Sequence, residues 1–133
     1  MKLNDLLKPA VGIAIAIVPD SEDSPSEWTA YIINLRSDTL KNVLITTNGY
    51  GQIGEKSLKT STIRYFFDEI PSNTYAKIEP IVEEVFGLNN EYWVSYSVGN
   101  EMQDKRYIFL PETIQPNNFS TIPLMEKRGV MIK

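Results

Sequence analysis

The chain has 133 residues, with 13 basic against 17 acidic side chains and a net charge of -4. That length supports one domain, and folding it buries roughly two thirds of the unfolded surface. The charge balance argues against broad nucleic-acid or anionic-membrane binding, which needs clustered Lys and Arg. Neither Cys nor His occurs, which removes disulfides, thiolate nucleophiles, Cys- or His-ligated zinc and the Ser–His and Cys–His nucleophile pairs.

Residues 1–7 are expected to form a short helical turn or a loose arm. The apolar stretch 9–18 is too short to cross a bilayer as a helix. Asp5 and Lys8 precede it, an acidic loop follows and no small-x-small cleavage site appears, so it does not fit a secretory leader. A cytoplasmic protein without membrane contact is the expectation. Within the stretch, Val11, Ile13, Ile15 and Ile17 alternate with Gly12, Ala14, Ala16 and Val18. This pattern predicts a buried strand with one bulky and one small face, and a small face lets a neighbouring backbone come close.

After the acidic, Ser-rich loop 19–27, residues 28–35 are apolar on both parities and predict a central strand. A third strand is expected over 43–48, a glycine-rich connection over 49–54 and a long fourth strand over 58–67. Residues 70–73 turn the chain into a fifth strand at 75–78, with Ala76 and Ile78 inward, and Pro80 ends that strand or places it at an edge. Residues 81–88 read as one amphipathic helical turn or as an irregular strand. Two apolar-aromatic runs within 91–111 flank Gly99 and Asn100, a β-hairpin signature. Residues 122–125 and 130–132 flank a polar stretch, giving a terminal hairpin or a tail along a sheet edge.

Seven or so short strands with frequent turns indicate an all-β protein, a single-domain antiparallel β-sandwich of immunoglobulin-like character over 1–133. Tyr92, two residues before Val94, resembles the tyrosine-corner position of such sandwiches, with Val94 where antibody domains carry a Cys. A small barrel is the competing architecture.

In the first hairpin run Tyr92, Val94, Tyr96 and Val98 share one parity, which leaves Trp93 on the polar face with Ser95 and Ser97. Trp93, Tyr50 and Tyr107 are therefore the candidate binding residues, as solvent-facing aromatics able to stack against a ligand or partner. The simpler role for Trp93 is cover by the C-terminal segment or by a second subunit. Lys56, Lys59, Arg64, Lys105 and Arg106 carry basic charge, but parity does not gather them into a stripe. Glu91 is expected to pair across the hairpin with Lys105 or Arg106.

Gly49 and Gly54 have the spacing of a phosphate loop, yet Glu55 stands where the motif needs Lys and the next segment reads as strand. A glycine-rich hairpin loop is the simpler reading. Asp20, Glu22 and Asp23 could contact a hard cation, but EF-hand spacing is absent and a solvated loop suffices. General acid–base work requires two carboxylates facing one cleft, and Asp68 and Glu69 point to opposite sides of a strand. No catalytic residue, metal ligand or cofactor is assigned.

The segments Trp28-Thr-Ala-Tyr-Ile-Ile-Asn, Lys59-Thr-Ser-Thr-Ile-Arg, Ala76-Lys-Ile-Glu-Pro, Leu88-Asn-Asn-Glu-Tyr-Trp-Val and Tyr107-Ile-Phe-Leu-Pro-Glu give the chain a resemblance to a family of short bacteroidete proteins, over most of its length. Some members carry the label of a phenylalanyl-tRNA synthetase alpha subunit. A class II synthetase core needs a far longer chain and motif arginines on a sheet with helices, which the sequence does not offer. The resemblance implies no activity and assigns no site residue. The expected function is a non-enzymatic protein-interaction or assembly module, with a protein partner or self-association. The alternatives are a nucleic-acid-associated accessory protein and a small hydrolase using Asp and Glu.

Overall fold

The alternating pattern is realised in a computed structural model that describes residues 12–21 and 27–133. It contains ten strands: β1 (Ile13–Pro19), β2 (Trp28–Asn34), β3 (Leu40–Ile53), β4 (Lys56–Lys59), β5 (Ile63–Ile70), β6 (Thr74–Ile81), β7 (Asn89–Val98), β8 (Glu101–Phe109), β9 (Ser120–Ile122) and β10 (Lys127–Ile132). They form two antiparallel sheets packed as a sandwich. One has the order β6-β2-β1-β10-β9; the other runs β4-β3-β7-β8, with β5 also paired to β3. β3 is long enough to hold β5 along its first half and β4 along its second. The expectations for residues 1–7 and for the middle of the acidic loop lie outside the described residues. Among the described residues, no helix is long and apolar enough to cross a membrane.

β1 is the most deeply placed strand, with all seven residues buried. Its bulky face, Ile13, Ile15 and Ile17, enters the main core between the sheets. Its small face, Ala14, Ala16 and Val18, joins Ile33, Ile122 and Met125 in a second cluster on the opposite side. Both faces are apolar, and β2 and β10 flank the strand, so no polar side chain is stranded there. β10 comes so near that a Cβ on Gly129 would lie 2.5 Å from the Ile17 carbonyl oxygen. The other sheet contributes Val43, Ile45, Val94, Tyr96 and Phe109 to the main core.

Polar side chains bind the two sheets where apolar packing ends. The buried Tyr107 hydroxyl on β8 donates to the Ile13 carbonyl on β1 at 3.1 Å. Buried Asn34 ends β2. Its amide donates to the carbonyls of Asp38, Ile70 and Pro71, while its Oδ1 accepts from the Arg36 N–H. One side chain therefore fastens the β2–β3 turn to the β5–β6 turn, and no buried side-chain polar atom among the described residues lacks a partner.

Three expectations are corrected. Among the described residues the strand count is ten, since the segment 58–67 is divided and the C-terminal residues do form a hairpin, β9–β10. The division has a local cause: Thr60 exchanges bonds with Gly49, its N–H donating to the Gly49 carbonyl and its Oγ1 accepting the Gly49 N–H. The chain then leaves the edge of β3 and re-enters as β5. Residues 49–53 are not a loop but the end of β3, and the turn falls at Gly54, with φ of 65°, and Glu55. Tyr92 is not a tyrosine corner, because its hydroxyl donates to the Glu79 side chain on β6 rather than to nearby backbone. The helical turn foreseen within 81–88 is a single 3-10 turn, Glu83–Val85. Ile78 is inward, at 6% exposure, and β6 lies at a sheet edge with Pro80 on it.

Candidate functional site

The register of the β5-β3-β7-β8 strands fixes which side chains share the solvent face. Strand pairing places Arg64, Thr46, Trp93 and Arg106 in one row across it, and Phe66, Leu44, Ser95 and Asp104 in the next. Neighbouring strands are spaced by about 4.8 Å, so side chains in a row touch their neighbours. Trp93, Leu44 and Phe66 remain 39%, 37% and 60% exposed. Leu44, Thr46, Trp93, Ser95 and Asp104 enclose a shallow cavity of about 280 Å³.

Trp93 is held in place. Its indole N–H donates to Asp104 Oδ2 at 3.1 Å, and the Arg106 guanidinium lies 4.2 Å above the ring. Such a stacked cation contributes about 0.5–1 kcal/mol at an exposed site. The C-terminal segment does not cover the ring, because β10 belongs to the opposite sheet between β1 and β9.

The other predicted residues do not join it. Tyr50 sits on the same face, four positions along β3 from Thr46, or about 13 Å at strand rise, and is half-buried with its carbonyl accepting from the Asn89 amide. Tyr107, expected toward solvent, is 0% exposed and lies across from Tyr92 on the core side. A signal for this was present. A two-residue turn at Gly99 and Asn100 puts Val98 opposite Glu101, and counting back along both strands puts Tyr92 opposite Tyr107. The same count corrects Glu91, which faces Ile108 and not Lys105 or Arg106. Of the five basic residues, Arg64 and Arg106 share a row, whereas Lys105 turns to the other side, where its ammonium meets the Lys133 carbonyl and the Tyr107 ring.

One position along each strand, the side chains point inward and meet a carboxylate. Half-buried Glu79 on β6 accepts three hydroxyl donors: Thr47 Oγ1 at 3.2 Å and Tyr65 at 2.8 Å on Oε1, and Tyr92 at 2.9 Å on Oε2. Burial, the bond to Glu79 and the charge of Glu79 push the Tyr65 hydroxyl up to about 12. Burial first, and then the charge and bond of Glu79, push Tyr92 well above its ordinary value. Both phenols therefore stay protonated donors. Nothing in the residue types announced this cluster, since its members come from β3, β5, β6 and β7 and meet only through sheet packing.

Glu79 borders a cavity of about 260 Å³ at one end of the sandwich, and Glu91 is also at its border. The two carboxylates do not face each other. Glu91 is adjacent to Tyr92 in the strand and leaves it on the opposite side, where its Oε2 accepts from the Asn48 amide at 3.5 Å. The glycine-rich stretch holds no phosphate cradle, as Glu55 sits in a hairpin turn followed by β4 rather than a helix. Among the described residues there is no group of three or more acidic side chains able to hold a metal ion.

No family model matches the chain, and no curated protein matches it.

Proposed function

We propose that the chain is a non-enzymatic protein-binding module, and that its contact surface is the solvent face of the β3 sheet centred on Trp93. One observation carries this reading: Trp93, Leu44 and Phe66 lie exposed beside one another, with the indole already fixed by Asp104 and Arg106. Trp and Arg dominate binding hot spots, and a ring held in its bound geometry loses little rotamer freedom when a partner arrives. The mixed charges around it, with Arg64 and Arg106 in one row and Asp104 in the next, suit a protein surface of mixed charge around an apolar anchor. We take the sandwich to be of immunoglobulin-like kind, a rigid frame for such a face.

The row Arg64–Trp93–Arg106 favours a second reading, single-stranded nucleic acid lying across the sheet. Against it, Arg106 already covers the ring face on which a base would stack, and the Asp104 carboxylate stands at the ring edge. The protein partner is therefore the better fit.

A photo-crosslinking amino acid in place of Phe66 tests both, with Lys77 on the other sheet as the control position. Discrete adducts from position 66 that disappear when Trp93→Ala is added are the expected result. Adducts no stronger than those from position 77 would overturn the proposal, and adducts that vanish on RNase treatment would replace it with the nucleic-acid reading.

A further inference from the structure

We propose that the cavity over Glu79 binds a primary ammonium group at the end of an aliphatic stem, supplied by a small alkylamine or by a lysine side chain. This cavity lies at one end of the sandwich and shares no lining residue with the one beside Trp93.

Charge comes first. The residues lining the cavity include Glu79 and Glu91 but no Lys or Arg. Among the described residues, the partners of Glu79 are three neutral hydroxyls and no cation. Hydroxyl donors stabilise a carboxylate but leave its charge in place, and a half-buried charge without an opposite one is a standing cost. An ammonium group removes that cost through a charge-assisted hydrogen bond.

Acceptor capacity comes second. Each carboxylate oxygen offers about two lone-pair sites. Thr47 and Tyr65 fill those of Oε1, whereas Tyr92 takes only one on Oε2. One acceptor position is therefore open on an oxygen whose orientation the tyrosines already fix. The phenols keep their protons at neutral pH, so they hold the carboxylate without competing for the incoming cation.

Shape and lining come third. Pro80, Ile81, Val82 and Val85 supply apolar walls for the methylene groups of a stem. The volume, about 260 Å³, falls just below the usual range for drug-sized ligands, about 300–1,000 Å³, so a single chain fits better than a ring system. An anion is excluded by the charge. A hard divalent cation wants six or more oxygens in its shell, several of them carboxylate or carbonyl, and two carboxylates that do not face each other do not make that set.

The test is a titration of the folded protein at neutral pH and low salt with n-butylammonium chloride, following the ring signals of Tyr65 and Tyr92 by NMR. Saturable shifts are expected, with 1-butanol producing none that saturate. Glu79→Gln, which keeps the shape and drops the charge, is expected to weaken binding by about tenfold or more, near 1.4 kcal/mol. Val82→Trp places bulk at an exposed part of the lining and is expected to block binding with Glu79 intact, so a poorly folded Glu79→Gln does not remove the test. A parallel titration with Nα-acetyl-lysine methylamide distinguishes the sources: saturation by it assigns the site to lysine side chains, and saturation by butylammonium alone assigns it to free amines. A linear response to both amines, equal binding of butanol, or unchanged affinity in both variants would overturn the proposal.

Discussion

Tyr92 and Trp93 are neighbours on β7 with opposite fates. The Tyr92 ring is 1% exposed, packs edge-on against Phe109 and gives its hydroxyl to a carboxylate of the facing sheet. The Trp93 ring is 39% exposed, and its partners, Asp104 and Arg106, both come from the adjacent strand of its own sheet. Both aromatics have a satisfied polar group, so hydrogen bonding does not separate them. Where the partner lives does. A side chain bound across the sandwich holds the fold together, whereas one bound along its own sheet leaves the fold indifferent and is free to serve as a contact surface.

The comparison breaks most visibly at Tyr92. Tyr92→Ala empties a core site and leaves Glu79 Oε2 without its donor, and buried aromatic truncations cost about 3–5 kcal/mol. Urea unfolding is expected to show a loss in that range. A loss below about 1 kcal/mol would mean that the inner face tolerates a hole where the packing says it cannot.

That contrast was partly legible beforehand. Alternation along β7 assigns Tyr92, Val94 and Tyr96 to one side and Trp93 to the other, because a strand offers only two directions. The two apolar parities of β2 likewise foretell a central strand. Pairing was harder to see. The break at Thr60, the continuation of β3 through Gly49 and Gly51, and the placing of Leu44 and Phe66 in the row next to that of Trp93 depend on which strands become neighbours, and alternation is silent about that. The Glu79 cluster is the extreme case, being assembled from four strands that are ordinary one by one. Tyr107 is different, since the length of the hairpin turn already placed it opposite Tyr92, and only the strand-to-strand count was missing.

A test of intermediate size falls on β10, a strand that contributes to neither candidate site. Gly129 lies where β10 passes β1, and an added methyl would meet the Ile17 carbonyl oxygen and the Val18 side chain and backbone at 2.5–3.1 Å. Backbone cannot yield as a flexible side chain would. Gly129→Ala is expected to cost about 1–3 kcal/mol, the usual range for overpacking, with reduced hydrogen-exchange protection along the β1–β10 ladder. An unchanged unfolding midpoint would show that the two strands are not locked at this point, and the closeness of β10 would lose its meaning.

The inner face also carries a pH signature. In the unfolded chain a tyrosine hydroxyl loses its proton near pH 10, while in the folded protein Tyr65 keeps it to about 12. Between those values the folded state binds more protons, so stability falls as pH rises, and the contribution is complete below pH 10. Tyr92 shifts in the same direction. Unfolding followed from pH 9 to 12 is expected to show a downward slope that becomes shallower in Tyr65→Phe and stays unchanged in Trp93→Ala. The size is modest because Tyr65 is only half-buried and solvent screens part of the effect. Equal slopes in all three proteins would detach the hydroxyls from the stability of the sandwich.

The smallest expected effect on stability is the one that sharpens the comparison most. Trp93→Ala removes an exposed hydrogen bond to Asp104 and the cation–π contact with Arg106, which together contribute about 1–2 kcal/mol on a solvated face. Unfolding by urea is expected to move by less than that. Crosslinking from position 66 should be lost all the same. A stability loss of 2 kcal/mol or more, on the order seen for core truncations, would mean that Trp93 is a structural residue whose exposure is incidental. A near-silent substitution that abolishes the adducts would instead separate folding from binding between two adjacent residues of a single strand.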